Sequence, residues 1–417
     1  MSPTEPRTSE TAQPPAAPRD DRAEARRGLS RRSFLRRAGL AGGTALVVAA
    51  GGVSYRAYDR GVLEAGEGGA YDAWRDWDKT KGPLALVSAA VLAANPHNSQ
   101  AWVFRTTPTR IDIFADRRRM TGALDPFDRE MYVGLGCALE NLLQAAPANG
   151  YRAQVMLLPT PGQPVHAARI DLAPGPLRRA ALYRAIPDRH TDRTAYRQQA
   201  VPAVVLAQMT ALAAGLPGTR LYWYTDEADR GRIGTLMVDA ARAITSDEQQ
   251  SRDGFRLFRS SWDDIQKFKD GLTLDTQGLS EVTTALAKML PASDRRSGDR
   301  FWVDATRKAH TKTAAAYGIV AVPDARDNRQ RLLGGRLLER AHLWTARNGL
   351  SLHHMNQMTE RADRERQLGL NARFAPAVQA LVPDRGWQPL VAFRIGYPTG
   401  DNGRRRSPRR PAKDVVA

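Results

Sequence analysis

Two side-chain amides lie in a short polar segment between a predicted helix and a predicted strand. The segment covers residues 96–102, where Asn98 and Gln100 supply the amides and His97 stands beside them. Amides both donate and accept hydrogen bonds, so they match a planar heterocycle with alternating carbonyls and ring nitrogens. The alternative is that these amides only satisfy backbone groups of a loop.

A second polar group combines two guanidinium groups with a hydroxyl. Arg189, Thr191 and Arg193 alternate along the chain, so their side chains point to one side of an extended or helix-entering segment. We predict a helix start here, where guanidinium groups and the positive helix end would bind phosphate. The alternative is a solvated loop in which Asp188 and Asp192 pair with the arginines.

The elements that position these groups follow from local patterns. Apolar residues at spacings of three and four predict a helix over 84–94, which proline at position 96 ends. Residues 102–105 and 110–116 are predicted to form a hairpin. Asp125 is predicted to cap the next helix, which closes at residues 149–150. We interpret Asp125 and Asp128 as capping residues, and we predict no metal site.

An internal repeat indicates two similar halves. The windows 136–150 and 335–349 lie 199 residues apart and share five identities, including Gly136 with Gly335 and Glu140 with Glu339. Both windows end on Asn-Gly, which is typical of a helix stop.

These residues resemble a known family. Residues 94–102 resemble the A-P-S-x-x-N-x-Q-P-W segment of nitroreductase-family flavoproteins, and more closely the A-x-P-H-N-x-Q-P-W form of their Acg-like branch. The chain departs at Ala101, where the family has proline. Residues 189–193 match the family's R-x-[ST]-x-R pattern, and residues 408–415 fit its P-R-x-P-x-x-x-V tail.

The resemblance implies an α+β, nitroreductase-like fold whose two fused halves form an intrachain pseudo-dimer. It also implies FMN as the cofactor and NAD(P)H as an electron donor. Arg189, Thr191, Arg193 and Arg409 would hold the phosphate of FMN. The ring or ribityl chain would meet His97, Asn98 and Gln100, and Asn356 and Gln357 would lie near the flavin.

Each half lacks one part of the family's site. The first half has no R-x-[ST]-x-R before residue 84, and the second half has residues 215–220 where the amide loop would stand. Family homodimers bind flavin at the subunit interface. The complementary losses therefore predict one complete site, and one FMN per chain, in a monomeric pseudo-dimer.

The predicted organisation has five parts. These are a disordered tail (1–29), a twin-arginine signal or membrane anchor (30–53), a first half (54–175), a second half (176–400) with a helical insertion at about 226–315, and a basic tail (401–417). The insertion could act as a lid over the site. For Arg409 the alternative is a disordered basic tail.

Residues 30–36 resemble the twin-arginine export consensus, and the uncharged residues 38–53 have the length of a signal segment. The expected partner is the twin-arginine translocase, with an extracytoplasmic or membrane-anchored location. If the signal is not used, the protein stays cytoplasmic. The chain carries a net charge of +18 without a nucleic-acid module, so nucleic acid is not an expected partner.

The sequence leaves three functional hypotheses. The first is an FMN-dependent oxidoreductase that reduces nitroaromatic or quinone-like acceptors. The second is a protein that binds or sequesters FMN with little turnover. The third is a degenerate fold without flavin. The single cysteine, Cys137, is predicted to be a buried apolar residue.

Overall fold

The computed structural model of the protein describes residues 61–62, 64–400 and 405–417. The predictions for the N-terminal tail, the twin-arginine motif and segment 38–53 lie outside the described residues. None of the helices in the described ranges is long and apolar enough to cross a bilayer.

The first half is built on a four-stranded antiparallel sheet, in the strand order β1-β2-β4-β3. The predicted hairpin is confirmed as β1 and β2. In chain order the elements are α1 (Asp72–Arg75), α2 (Pro83–Ala90), β1 (Trp102–Thr107), β2 (Arg110–Ala115), α3 (Arg129–Ala148), β3 (Tyr151–Leu157), β4 (His166–Pro174) and the linking α4 (Ala181–Ala185).

The second half carries a longer set of elements, because several helices are inserted after its first strand. In chain order they are α5 (Ala203–Thr210), β5 (Arg220–Tyr224), α6 (Glu227–Ser246), α7 (Glu248–Arg256), β6 (Phe258–Arg259), α8 (Trp262–Phe268), β7 (Leu272–Thr273), α9 (Glu281–Met289), α10 (Arg295–Ala305), β8 (Ala316–Val322), α11 (Asn328–Arg347), β9 (Ser351–His354), α12 (Gln357–Leu368), α13 (Phe374–Gln379) and β10 (Gln388–Gly396).

The two halves share one topology. The second sheet has the order β5-β8-β10-β9, so each half places its first, second, fourth and third strands side by side. Each half also has a short helix before its first strand and a long helix, α3 or α11, between its second and third strands. The predicted α+β fold with two fused halves is therefore confirmed.

The two long helices pack against each other at the repeated glycines. A Cβ atom added to Gly136 would lie 2.2 Å from the carbonyl oxygen of Leu332 and 3.0 Å from Cα of Gly335. A Cβ atom on Gly335 would lie 2.1 Å from the carbonyl oxygen of Val133. The helices approach this closely because neither glycine has a side chain at the crossing. Cys137 is buried beside it, as predicted.

The start of α3 differs from the prediction. The helix begins at Arg129, and Asp128 before it has left-handed backbone geometry and makes no capping hydrogen bond. Asp125 lies outside the helix, although its Oδ2 atom accepts a hydrogen bond from the backbone N–H of Met131 at 2.9 Å. The predicted cap was wrong because the chain makes an additional turn before it enters the helix.

The C-terminal tail packs on the first half. The backbone N–H of Phe104 donates to the carbonyl oxygen of Val415 at 2.8 Å. The backbone N–H of Ala417 donates to the carbonyl oxygen of Phe104, also at 2.8 Å. The end of the chain therefore pairs with β1, and residues 405–417 are ordered on the protein rather than a solvated tail.

Candidate functional site

A cavity of about 510 Å³ lies among the polar corner after α2, the arginine segment, the inserted helices and the C-terminal tail. Most of the predicted site residues contribute to its wall. These are His97, Asn98, Arg189, Thr191, Arg193, Asn356, Gln357 and Arg409. The insertion supplies further wall residues, among them Leu272, Leu274 and Trp302.

The corner after α2 has an unusual backbone. Three residues of this corner have left-handed backbone geometry, with φ angles of 48° at His97, 56° at Asn98 and 53° at Gln100. Residues other than glycine are uncommon in this geometry and are usually held in it by contacts with neighbouring groups. One such neighbour is Asn95, whose Oδ1 accepts from the backbone N–H of Gln100 at 2.8 Å.

The two side-chain amides of this corner mainly form hydrogen bonds with backbone groups of the insertion and the C-terminal tail. Nδ2 of Asn98 donates to the carbonyl oxygens of Gly271 at 3.0 Å and Pro408 at 2.8 Å, while its Oδ1 accepts from Arg409. Gln100 is fully buried and bridges the carbonyl oxygen of Lys269 to the backbone N–H of Arg410.

The placement of Gln100 corrects the sequence-based interpretation. This side chain is absent from the described cavity wall, because both ends of its amide bind the insertion and the tail. Asn98 lies in the wall, but its amide is engaged in the same way. The sequence alternative, that these amides satisfy backbone groups, describes Gln100.

The arginine segment is extended, and the predicted helix start at residues 189–193 is wrong. Arg189 has φ −64° and ψ 126°, and the next helix begins only at Ala203. The Arg189 guanidinium is buried and donates to the carbonyl oxygen of Leu92 from Nε at 3.1 Å and Nη2 at 2.9 Å. Arg193 donates from Nη1 to the carbonyl oxygen of Thr276 at 3.0 Å. The guanidinium groups therefore face the cavity from an extended segment, and residues 189–193 do not form a helix N-terminus.

Arg409 brings a third guanidinium group to the cavity. Its backbone N–H donates to the carbonyl oxygen of Ala70 at 2.7 Å, and its Nη2 donates to that of Ala93 at 3.2 Å. Its Nε atom is buried and has no hydrogen-bond partner among the described residues. The indole of Trp74 lies 5.3 Å from the Arg409 guanidinium and 5.9 Å from that of Arg189.

This end of the cavity has excess positive charge. Burial and the neighbouring Arg189 hold the pKa of Arg409 well below its usual range. The nearest carboxylate is that of Glu339, whose Oε1 lies 3.5 Å from Nε of Arg189 and whose Oε2 accepts from the backbone N–H of Ala94. One carboxylate does not balance the buried guanidinium groups, so an anion is the complementary ligand.

Histidines form another part of the wall. His353 and His354 are adjacent on β9, but their rings diverge: His353 lies 4.6 Å from the ring of His310, and His354 lies 5.0 Å from that of His342. Burial lowers the pKa of His354 to about 3, and it also lowers the pKa of His353 and His310 well below the usual value. These rings are therefore neutral at pH 7.

Asn356 and Gln357 lie where β9 meets α12. Oδ1 of Asn356 accepts from the backbone N–H of Ala392 at 3.0 Å, which ties this corner to β10. Gln357 is buried at the first position of α12. Both residues contribute to the cavity wall, and their contact with flavin stays a prediction.

Sequence reasoning missed several wall residues, notably Trp74, Glu130 and Glu360. Each lies on a helix with ordinary periodicity, and no local motif marks it. His190, which lies between the arginines in the chain, also contributes to the wall.

The chain is similar to proteins that are named NAD(P)H nitroreductases. No family model matches the chain. A Mycobacterium tuberculosis protein named "Putative NAD(P)H nitroreductase Rv3131" is 36% identical over 131 residues, which is 31% of this chain and 38% of that protein. A Serratia protein named "Probable NAD(P)H nitroreductase PigM" is 29% identical over 196 residues, or 45% of this chain and 54% of that protein.

Acg of M. tuberculosis is 34% identical over 90 residues, which is 22% of this chain and 27% of Acg. The resemblance to Acg-like nitroreductases is therefore confirmed, while the chain covers only 27% to 54% of the length of these three relatives. Among solved structures, the FMN-dependent nitroreductase NfnB of Mycobacterium smegmatis aligns with 57% of this chain and 97% of its own, at a TM-score of 0.38 and 14% identity.

Proposed function

We propose that the protein binds FMN in this cavity and acts as an NAD(P)H-dependent oxidoreductase on nitroaromatic or quinone-like acceptors. The single observation that carries the proposal is the basic end of the cavity, where Arg189 and Arg409 are buried together. Names of relatives support the reaction class.

The residues fit the cofactor. Nε of Arg409 is an unpartnered buried donor, and a phosphate dianion would supply both its acceptor and the missing negative charge. The cavity volume of about 510 Å³ lies within the range for cofactor sites. Arg189, Thr191, Arg193 and Arg409 are the residues we assign to the phosphate end.

Flavin supplies the redox chemistry when it is bound. The chain's own residues bind and orient it: the guanidinium groups hold the phosphate, and Asn98 and Gln100 fix the wall through hydrogen bonds to the insertion and the tail. The neutral rings of His353 and His354 add hydrogen-bonding groups without further charge. The insertion limits the access of water and of reactants.

We further propose one FMN per chain. The region of the pseudo-dimer that corresponds by the repeat to the basic end of the cavity holds ion-paired arginine side chains. Glu140, the repeat counterpart of Glu339, accepts from Nε of Arg336 at 2.8 Å and from Nε of Arg340 at 2.7 Å. Nη1 of Arg340 also donates to the carbonyl oxygens of Leu212 and Ala214 at 3.0 Å each. At the basic end of the cavity, Arg189 and Arg409 bind the carbonyl oxygens of Leu92 and Ala93 in a similar way. The two regions differ because Glu140 accepts directly from both of its arginines, and neither Arg336 nor Arg340 has a buried nitrogen without a described partner, as Arg409 does.

One feature favours FMN sequestration as a second candidate. The insertion forms a continuous part of the cavity wall through Leu272, Leu274 and Trp302, and this wall could exclude NAD(P)H or an acceptor. Binding would then occur with little turnover.

The test begins with the visible absorbance of the purified protein and identification of any released cofactor. We expect one FMN per chain, and anaerobic NAD(P)H should bleach it if the protein is a reductase. Retained FMN without bleaching would favour sequestration. A colourless protein that does not take up added FMN would overturn the proposal.

Arg409→Ala provides the residue-level test. We expect this variant to lose most of its FMN, because the phosphate loses its buried guanidinium partner. Arg410→Ala is the matched control, since Arg410 lies next in the tail and its Nη2 donates to the carbonyl oxygen of Asp414 instead. Equal FMN content in both variants would remove Arg409 from the site.

We also propose export by the twin-arginine pathway, on the motif at residues 30–36. Replacing Arg31 and Arg32 by lysine should retain the protein in the cytoplasm, as measured by cell fractionation. Unchanged fractionation would favour the cytoplasmic alternative.

A further inference from the structure

One end of the cavity brings together an imidazole and two carboxyl groups. His97, Glu130 and Glu360 each offer one ligand atom, and these atoms all lie within 4.8 Å of one another. All three side chains contribute to the cavity wall. The first turn of α3 supplies Glu130, the first turn of α12 supplies Glu360, and the left-handed corner supplies His97.

Among the described residues, no cationic side chain forms an ion pair with either carboxyl group. Oε1 of Glu130 is buried and has no hydrogen-bond partner among the described residues. The nearby guanidinium of Arg129 is taken by Asp363, with both N–O distances at 2.8 Å. Arg193, which lies near His97, is bound to the carbonyl oxygen of Thr276. The cluster that contains the imidazole therefore includes a residue with a buried carboxylate oxygen that has no described partner.

Two carboxyl groups held this close together in a buried cluster must either share a proton or share a cation.

We propose that His97, Glu130 and Glu360 bind one divalent transition-metal ion, with its remaining coordination positions open to the cavity. One imidazole nitrogen and two carboxylate oxygens are the donor set of Zn²⁺ and Mn²⁺ sites in proteins. The two carboxylates balance the charge of the ion.

The geometry is within reach of coordination. Zn²⁺ ligands stand about 2.0–2.2 Å from the ion, so neighbouring ligand atoms are separated by about 3.3–4 Å. The three ligand atoms lie within 4.8 Å of one another, so they are less than about 1.5 Å from the separations that coordination needs. The metal site does not rest on flavin binding, since none of its three ligands is a guanidinium of the phosphate end.

The experiment measures metal binding to the full chain after chelator treatment and dialysis. Calorimetric titration with Zn²⁺ and, separately, with Mn²⁺ should show saturable binding of one ion per chain, and elemental analysis should give the same stoichiometry. Glu130→Gln and Glu360→Gln should each weaken binding at least about 100-fold, because each removes a charged ligand without changing volume. His97→Asn should act similarly.

Asp299→Asn is the matched control. Asp299 lies in the wall of the same cavity but outside the cluster, and it accepts from the hydroxyl of Ser251, so this variant should bind the ion normally. Arg409→Ala should also retain metal binding while it loses FMN, which separates this proposal from the proposed function.

Wild-type protein that binds no stoichiometric ion would overturn the proposal, as would Glu130→Gln and Glu360→Gln variants that bind the ion with unchanged affinity. If those variants fail to fold, the wild-type chain decides. Saturating Zn²⁺ should raise its unfolding temperature, and absorption of bound Co²⁺ should report mixed nitrogen and oxygen ligands. An unchanged unfolding temperature together with featureless Co²⁺ absorption would overturn it too.

Discussion

Replacing Gly136 by alanine should force α3 and α11 apart at the centre of the pseudo-dimer. The added Cβ would lie 2.2 Å from the carbonyl oxygen of Leu332, whereas a carbon–oxygen contact needs about 3.3 Å. The obstacle is backbone of a buried helix, so no side-chain rotation relieves it. The helices must separate by roughly 1 Å, or α3 must bend.

The expected loss follows from overpacking. Insertion of a methyl group into a well-packed core destabilises by about 1–3 kcal/mol, and here the helices that join the halves must both move. Alanine is favoured over glycine in a helix by about 1 kcal/mol, which offsets part of that loss. Because both helices must move, we take the upper end of this range, about 3 kcal/mol, and expect a net decrease of about 2 kcal/mol in the free energy of unfolding.

Gly231→Ala is the matched control. Gly231 lies within α6, and a Cβ atom added there would have no neighbour within 4 Å. The same substitution should therefore stabilise by about 0.5–1 kcal/mol through helix propensity.

Denaturant unfolding followed by circular dichroism measures both variants against the wild type. Opposite signs are expected, with Gly136→Ala less stable and Gly231→Ala more stable. A Gly136→Ala protein as stable as the wild type would refute the close crossing of α3 and α11, and with it the tight pseudo-dimer.

Two further perturbations test the buried charges. Glu140→Gln removes the buried carboxylate that compensates two partly buried arginine side chains, so the free energy of unfolding should fall by about 3 kcal/mol while FMN content is retained. Loss of FMN in this variant would contradict the one-site arrangement. Acidification should also destabilise the protein, because a buried histidine whose pKa is lowered resists protonation that the unfolded chain accepts. For His354, with a pKa of about 3, the effect begins below about pH 6.5 and reaches about 2 kcal/mol at pH 5. Unfolding measured from pH 8 to pH 5 checks this; constant stability over that range would contradict it, and His354→Asn should reduce the slope.

The local prediction of elements succeeded where side-chain periodicity decided the structure. The hairpin of β1 and β2, the long helix α3 and the repeat in α11 all follow from spacings within one segment. The predictions that failed concerned the residues at which helices begin. The start of α3 after Asp128 and the extended segment at Arg189 depend on contacts with distant chain segments, which local patterns do not contain.

The candidate site shows the same division. Motifs found Arg189 and Arg409, and the structure brings both to one cavity. Gln100 carried the same motif evidence, yet its amide binds the insertion and the tail. Whether an amide faces a ligand or a backbone group depends on what packs against it.

The two-half organisation, the polar corner and the basic residues of the proposed phosphate end could be predicted from sequence, because repeats, helix faces and residue types are properties of contiguous chain. The structure was needed to show that Glu130 and Glu360 lie near His97, that the tail returns to β1, and that Arg336 and Arg340 pair with Glu140. Those pairings join residues far apart in the chain. They form because long-range packing determines which surfaces meet, and local conformational preferences carry no information about their partners.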